Sequence, residues 1–424
     1  MQQPYSRHVL KNGIRVILVP QKKALAATVL VLVETGSKYE TKEINGVSHF
    51  LEHLCFKGTK KRPTALAITS ELDGIGAEYN AFTGEEYTGY HAKAEAAHIN
   101  QLIDVVTDLY VGPVFDSKEI EKEKGVIIEE LNMYEDIPMR KVAEVFTALL
   151  YGNQPAGWPI GGEKDIIRRL SREDIVSYRA ANYMAKSTAV IVVGGFEEKS
   201  VLRRLETALA SIDHAKKMKK LPVKEAQVKP ALALKFKESD QTHLILGVRA
   251  YDTYDSRRHA LTILAEILGG GMSSRLFQRI RDEMGAAYYI RAGVEALTDH
   301  GYFAVSAGVE HGKLESVLGA ILEEMKRIAA GDFTAEELKR AEEHAAGGLV
   351  LGLETSDALA GYYGAEEVLR KPITSPETHL RRLRMVTKRK VIAVARDIFK
   401  SEKLNLALIG PQKNSALLQK ILHF

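Results

Sequence analysis

One order of elements occurs twice along these 424 residues, and that repetition limits the fold more than any other feature. In the first half HVLKNGIRVILVP reads as a hairpin, because Asn12-Gly13 suits a tight turn between two apolar runs. A strand TVLVLVETG follows, then a helix over 46–57 with Asn45 as N-cap and Gly58 just past its end. Pro63 opens a further helix ending near Gly74, and AEYNAFT and YTGYHAK read as strands paired through Gly84-Glu85. Helices over 95–110 and 117–135 and a strand STAVIVVGGF complete the set. The second half repeats it with strands LALKFK and THLILGVR, helices HALTILAEILGG and SSRLFQRIRDEMG, strands near 288–295 and 302–308, and two more helices. VFDSKEIEKEKGVIIEEL (114–131) is echoed by DFTAEELKRAEEHAAGGL (332–349), an offset of 218 residues, as Phe115 against Phe333 shows.

This repetition implies an α+β fold of two duplicated domains of about 200 residues each, with each sheet covered by helices. The expected boundaries are 1–213 for the first domain, 214–229 for a linker and 230–424 for the second. The linker HAKKMKKLPVKEAQVK is basic, contains a proline and shows no period. Length and composition agree, since 45% hydrophobic and 27% charged residues exclude the signature of disorder.

Several function classes lose support from the same sequence. Basic and acidic residues nearly balance at 59 and 55, so no nucleic-acid partner is expected. No stretch approaches the ~20 apolar residues of a membrane span, and MQQPYSRHVLKNG lacks the basic-then-apolar order of a signal peptide. One cysteine, Cys55, leaves no intrachain disulfide framework and fits a reducing compartment. The expectation is a cytoplasmic protein without a membrane or nucleic-acid partner.

The chemistry lies in HFLEH. On a helix, His49, Glu52 and His53 share one narrow stripe, because positions i, i+3 and i+4 are neighbours. Val47, Phe50, Leu51, Leu54 and Cys55 make the remaining faces apolar, so three ionisable groups cluster on a mostly buried helix. Burying them unpaired costs several kcal/mol, which a bound cation offsets. Two histidines one turn apart suit Zn²⁺, one per chain, with a catalytic site that leaves one position to water. Glu52 is placed to take the proton of that water as it attacks a peptide carbonyl. The reversed spacing HxxEH is a recognised counterpart of HExxH.

A third ligand is sought on the helix 117–135, which carries Glu121, Glu123, Glu129 and Glu130. Ile120, Ile127, Leu131 and Tyr134 set its apolar side. Glu130 lies about 50° from the centre of that side and Glu129 about 150°, so Glu130 is the one able to face inward. Glu123 shares its face and is suited to hold a histidine or the water from behind the ligands. Glu121 and Glu129 read as a solvated face paired with Lys122 and Lys124. Cys55 reads as a small core residue, and His91 and His98 as ordinary strand and helix histidines.

HFLEHLCFKGT (49–59), EKEKGVIIEE (121–130) and the 76 residues between His53 and Glu130 resemble the pitrilysin-type (M16) zinc metallopeptidases, the family of insulin-degrading enzyme and the mitochondrial processing peptidase. The resemblance implies His49, His53 and Glu130 as zinc ligands, Glu52 as general base and Glu123 as the additional helix glutamate. YNAFTGEEYTGY (79–90) resembles the edge strand that binds substrate backbone by β-addition, with Asn80 and Ala81 beside the scissile bond. Glu78, Glu85 and Glu86 near that strand hint at tolerance of basic residues. GGGMSSRLFQRIRDEMGAAYYI (269–290) resembles the segment that supplies an arginine and a tyrosine to the oxyanion, here Arg281 and Tyr288, with Tyr289 an adjacent competitor.

The second half carries Ala260, Ile263 and Leu264 where His49, Glu52 and His53 stand, and Gly348 where Glu130 stands, so only the first half is expected to bind metal. The chain resembles the short members, such as the processing peptidase's beta subunit, in which two chains pair as a clamshell. That implies a homodimer, or a heterodimer with a sister chain, in which Arg281 and Tyr288 act on the partner's zinc. The expected function is a zinc-dependent endopeptidase acting on peptides or unfolded segments. Two alternatives are a catalytically silent assembly or core subunit of the same fold, and a chance motif in an unrelated α+β binding protein.

Overall fold

The first sheet contains β1 (Ser6–Val9), β2 (Arg15–Pro20), β3 (Ala26–Val33), β4 (Glu78–Thr83), β5 (Thr88–Glu95) and β6 (Thr188–Gly194), in the order β1-β2-β6-β3-β5-β4. The second contains β7 (Ala231–Phe236), β8 (Thr242–Ala250), β9 (Ala287–Ala296), β10 (Gly301–Val309) and β11 (Leu404–Gly410), in the order β7-β11-β8-β10-β9. Matching β2 to β7, β6 to β11, β3 to β8, β5 to β10 and β4 to β9 makes the two orders the same. Each sheet has one parallel pair, β2 with β6 and β7 with β11, and the other pairings are antiparallel. The duplicated α+β architecture expected from the element order is therefore present, with β1 as an addition to the first copy. The structure is a computed structural model and describes residues 5–214, 218–370, 372–413 and 415–424.

The central strands are apolar on both faces because both faces are covered. Thr188–Gly194 is buried throughout, as the unbroken run TAVIVVG requires. On one face of the first sheet, Val29, Val31, Val190 and Val192 join Phe50, Leu54 and Leu102 in one core. On the other, Ile17, Leu30, Leu32 and Ile191 meet Ala360 and Tyr363 of the helix Ser356–Ala365. That helix lies close enough that a Cβ on Gly364 would stand 2.3 Å from Leu32 Cδ1. The second sheet is covered in the same way, by Val142, Phe146 and Leu150 of the helix Pro138–Tyr151 against Ile245, Ala407 and Ile409.

These two covering helices are exchanged along the chain. The first unit comprises Met1–Leu131, Pro159–Leu221 and Gly352–Thr374, and the second Asn132–Trp158, Pro222–Leu351 and Ser375–Phe424. A division at residues 213 and 230 does not anticipate this, because which sheet receives an amphipathic helix is decided by tertiary packing. Of the expected linker 214–229, residues 215–217 lie outside the described residues, and residues from Pro222 onward pack with the second unit.

Local boundaries also shift. The helix expected over 46–57 spans Val47–Cys55 with Gly46 at its N-cap, and Asn45 donates its side chain elsewhere. Thr64, not Pro63, caps the next helix, Ala65–Asp73. The helix expected over 95–110 spans Ile99–Val111, and the SSRLFQRIRDEMG segment contains a π-helical stretch at Phe277–Glu283.

Candidate metal centre

A nine-residue helix is marginal by itself, so Val47–Cys55 depends on its surroundings. Phe50 and Leu54 are buried in the first core, and each such side chain contributes roughly 1.5–3 kcal/mol. The N-terminus is held by Glu40, whose carboxylate is buried. Its Oε2 accepts from Gly46 N at 2.7 Å and Asn45 Nδ2 at 2.9 Å, and its Oε1 accepts from Ser48 N at 2.8 Å. Burial pushes the Glu40 carboxyl up to about 7, against the opposing pull of these donors. Gly46 adopts a φ of 97°, where a side chain is strained, and a Cβ there would stand 2.8 Å from Gly161 O. Glu40 replaces Asn45 as the group that satisfies the helix start, by reaching from five residues upstream.

On this helix His49 Nε2 and His53 Nε2 lie 3.3 Å apart. Glu130 Oε2, from the helix Ser117–Asp136, lies 3.7 Å from His49 Nε2 and 3.5 Å from His53 Nε2. A tetrahedral site with bonds of about 2.0–2.1 Å has edges of roughly 3.3 Å, so the three atoms fit a zinc donor set. Among the described residues, His49, His53 and Glu130 form the one group of three side chains able to hold a metal ion. The His49 imidazole is pushed down to about 4 by burial and by neighbouring His53, so it is neutral and its lone pair is available.

His53 is aimed from behind. Its Nδ1 donates to Glu123 Oε1 at 2.8 Å, which turns Nε2 toward His49 and Glu130. Lys57 Nζ holds the other Glu123 oxygen at 2.7 Å. Burial alone would raise the Glu123 carboxyl, but the hydrogen bonds from His53 and Lys57 hold it below the usual glutamate range. For His53 burial acts downward and is outweighed by the Glu123 hydrogen bond and the surrounding carboxylates, so its net shift is upward. Glu52 is raised by burial first and by Glu130 as well, against the Thr83 hydroxyl and His53. A carboxylate whose affinity for a proton is raised beside a metal-capable triad is suited to general-base work.

The remaining glutamates divide as helix geometry predicts. Glu121 pairs with Lys124 at 2.8 Å on the solvated face, Lys122 pairs with Glu119 at 2.5 Å, and Glu129 is exposed. Glu86 is different from expectation: it is buried against Lys38 at 3.3 Å and Lys220, so it is an internal ion pair and offers nothing to a substrate. Cys55 is buried and its thiol donates to Tyr90 Oη at 3.5 Å, a core role.

β4 is the free edge of the first sheet, next to β5. Gly84 N donates to Tyr87 O, and the antiparallel alternation from that bond leaves the backbone groups of Tyr79, Ala81 and Thr83 facing the open edge. Ala81 N donates to Asn80 Oδ1 at 2.9 Å, so the exposed Asn80 amide covers the edge donor beside it.

Residues 15–164 match the family model described as Insulinase (Peptidase family M16), and residues 169–344 match that described as the Peptidase M16 inactive domain. A Bacillus subtilis protein, named as the uncharacterized zinc protease YmxG, is 33% identical over 408 residues, spanning 96% of this chain and 98% of its own length. The chain belongs to peptidase family M16. A Streptomyces coelicolor protein named as an uncharacterized zinc protease is 33% identical over 96% of this chain and 90% of its own. In fold, the M16 chain is similar to a Helicobacter pylori protease, with a TM-score of 0.90 at 23% identity over 96% of this chain and 99% of that one. A Pseudomonas fluorescens structure described as a peptidase M16 inactive domain gives 0.88 at 18% identity, over 96% and 98%.

The match of 169–344 to the inactive domain agrees with the second copy, where Ala260, Ile263 and Leu264 are buried among apolar neighbours. Arg281 and Tyr288 belong to this second unit. The Arg281 guanidinium lies 4.8 Å from the Phe277 ring centre and 6.0 Å from that of Tyr288, a residue that is 74% exposed. Tyr289 is engaged instead: its Oη lies 3.1 Å from His243 Nδ1, the two rings stack, and burial pushes its hydroxyl up to about 12. Sequence reasoning missed Glu40, Lys57 and Thr83. Lys57 lies two residues past the end of the helix, and its spacing of four from His53, one helical turn if the period is continued past Cys55, was the available signal.

Proposed function

We propose that this M16 chain is a zinc-dependent endopeptidase that hydrolyses peptides or unfolded segments. The triangle of His49, His53 and Glu130, with Glu52 on the same helix face, is the observation that carries the reading. When bound, zinc supplies Lewis acidity and makes water a nucleophile near neutral pH. His49, His53 and Glu130 hold the ion, and Glu123 with Lys57 keeps His53 in the ligating tautomer. Glu52 accepts the proton of the attacking water and passes it to the leaving amine. The open edge of β4, at Asn80 and Ala81, takes the peptide backbone by β-addition, which supports extended over folded substrates. Arg281 and Tyr288 steady the negative charge that develops on the carbonyl oxygen.

Among the described residues no helix is long and apolar enough to cross a membrane. A lone buried thiol needs no oxidising environment, so the proposed compartment is the cytoplasm. The proposed assembly is a pair, either a homodimer or a heterodimer with a sister chain, in which Arg281 and Tyr288 serve the partner's zinc. The second reading is a silent subunit of the same fold.

The test is Glu52→Gln against wild type on a peptide library, with zinc content measured on the same samples. One zinc per chain in both, with cleavage by wild type alone, supports the peptidase. Stoichiometric zinc without cleavage by wild type supports the silent subunit. Mixing Glu52→Gln with Arg281→Ala chains is expected to restore one site per dimer, and no rescue would place both residues in the same chain's site.

A further inference from the structure

Glu52 receives a single hydrogen bond from the described residues. Thr83 Oγ1 donates to its Oε2 at 2.5 Å, and Oε1 receives none. A glutamate carboxylate turns easily about its last torsion, so one fixed donor decides which oxygen stays available. Thr83 is suited to be that donor. It is β-branched and ends β4 opposite Thr88, so its side-chain torsion is restricted by the strand. It also shares the face of Ala81, which is 9% exposed against the first core.

The same residue has a second connection. The backbone groups of Thr83 face the open edge of β4 in the alternation that also turns those of Tyr79 and Ala81 toward it. One residue thus offers its main chain to a docking peptide strand and its hydroxyl to the base.

We propose that Thr83 is a positioning residue, whose hydroxyl fixes Glu52 Oε2 so that Oε1 is presented to the proton it accepts, and which ties that alignment to substrate docking on β4. The proposal rests on the peptidase reading, in which Glu52 is the base. Thr83 itself touches neither the metal ligands nor the scissile bond in this role. The hydroxyl is what matters, so serine should serve and valine, equal in shape, should not.

The experiment compares Thr83→Val and Thr83→Ser in the full chain loaded with zinc, and adds crystal structures of the zinc-free forms. Thr83→Val is expected to lower kcat roughly 10- to 100-fold, with KM changed less than about twofold and zinc content unchanged. Thr83→Ser is expected to restore most of the loss. In the zinc-free crystals Glu52 should occupy one carboxylate orientation in wild type and Thr83→Ser and more than one in Thr83→Val. Wild-type kcat in Thr83→Val, loss of zinc from it, equal impairment by serine, or a single unchanged Glu52 orientation would each overturn the proposal. A wild type inactive on all peptides would overturn the peptidase reading instead, and the crystals would still decide what Thr83 does to Glu52.

Discussion

The helices Val47–Cys55 and Arg258–Gly269 lie beside corresponding edge strands, β4 and β9, of sheets with the same strand order. One presents His49, Glu52 and His53 on a single stripe, and the other buries Ala260, Ile263 and Leu264 in the matching positions. The backbone architecture therefore tolerates either a cluster of ionisable groups or an apolar seam. The difference extends beyond the helix, where Glu123, Lys57 and Thr83 supply charge and hydrogen bonds in the first unit. In the second, the corresponding helix Ala335–Gly352 carries Gly348 in place of Glu130.

Reciprocal substitutions break this comparison most severely. His53→Leu should reduce zinc from one per chain to none and bring cleavage to background, both read by metal analysis and a peptide assay. Leu264→His should leave zinc content unchanged and lower stability by about 2–4 kcal/mol, because an unpaired polar ring replaces a fully buried leucine. A urea denaturation curve measures it. If Leu264→His instead binds a second zinc, the two units are closer in chemistry than proposed.

Glu123→Gln sharpens the contrast at the next level. It removes the carboxylate that orients His53, and should weaken zinc binding about 10- to 100-fold in competition with a chelator. Glu40→Ala comes next. Losing a helix cap should cost about 1–2 kcal/mol of stability, with stoichiometric zinc at saturation. The smallest effect belongs to the second unit: Tyr289→Phe gives up the contact with His243 and should cost about 1 kcal/mol with kcat unchanged.

The residues that were legible in the sequence are those whose relation is set within one element. His49, Glu52 and His53 follow from helix period, Glu130 over Glu129 follows from the same wheel, and the central strands follow from unbroken apolar runs. Glu40 was not legible because a loop, not a pattern, returns it to the helix start. Thr83 meets Glu52 only once β4 has packed beside the helix Val47–Cys55, and the internal pairing of Glu86 was hidden because its lysine partners are 48 and 134 residues away. The exchange of the helices Pro138–Tyr151 and Ser356–Ala365 was hidden for the same reason: each is amphipathic or small-faced, and either sheet offers an apolar surface.

The central claim is one zinc per chain, held by the first unit alone. Anomalous diffraction at the zinc absorption edge from crystals of the zinc-loaded protein tests it most directly. One peak per chain is expected, within about 2.0–2.2 Å of His49 Nε2, His53 Nε2 and a Glu130 oxygen. A peak in the second unit, two peaks per chain, or a peak whose ligands omit Glu130 would contradict it.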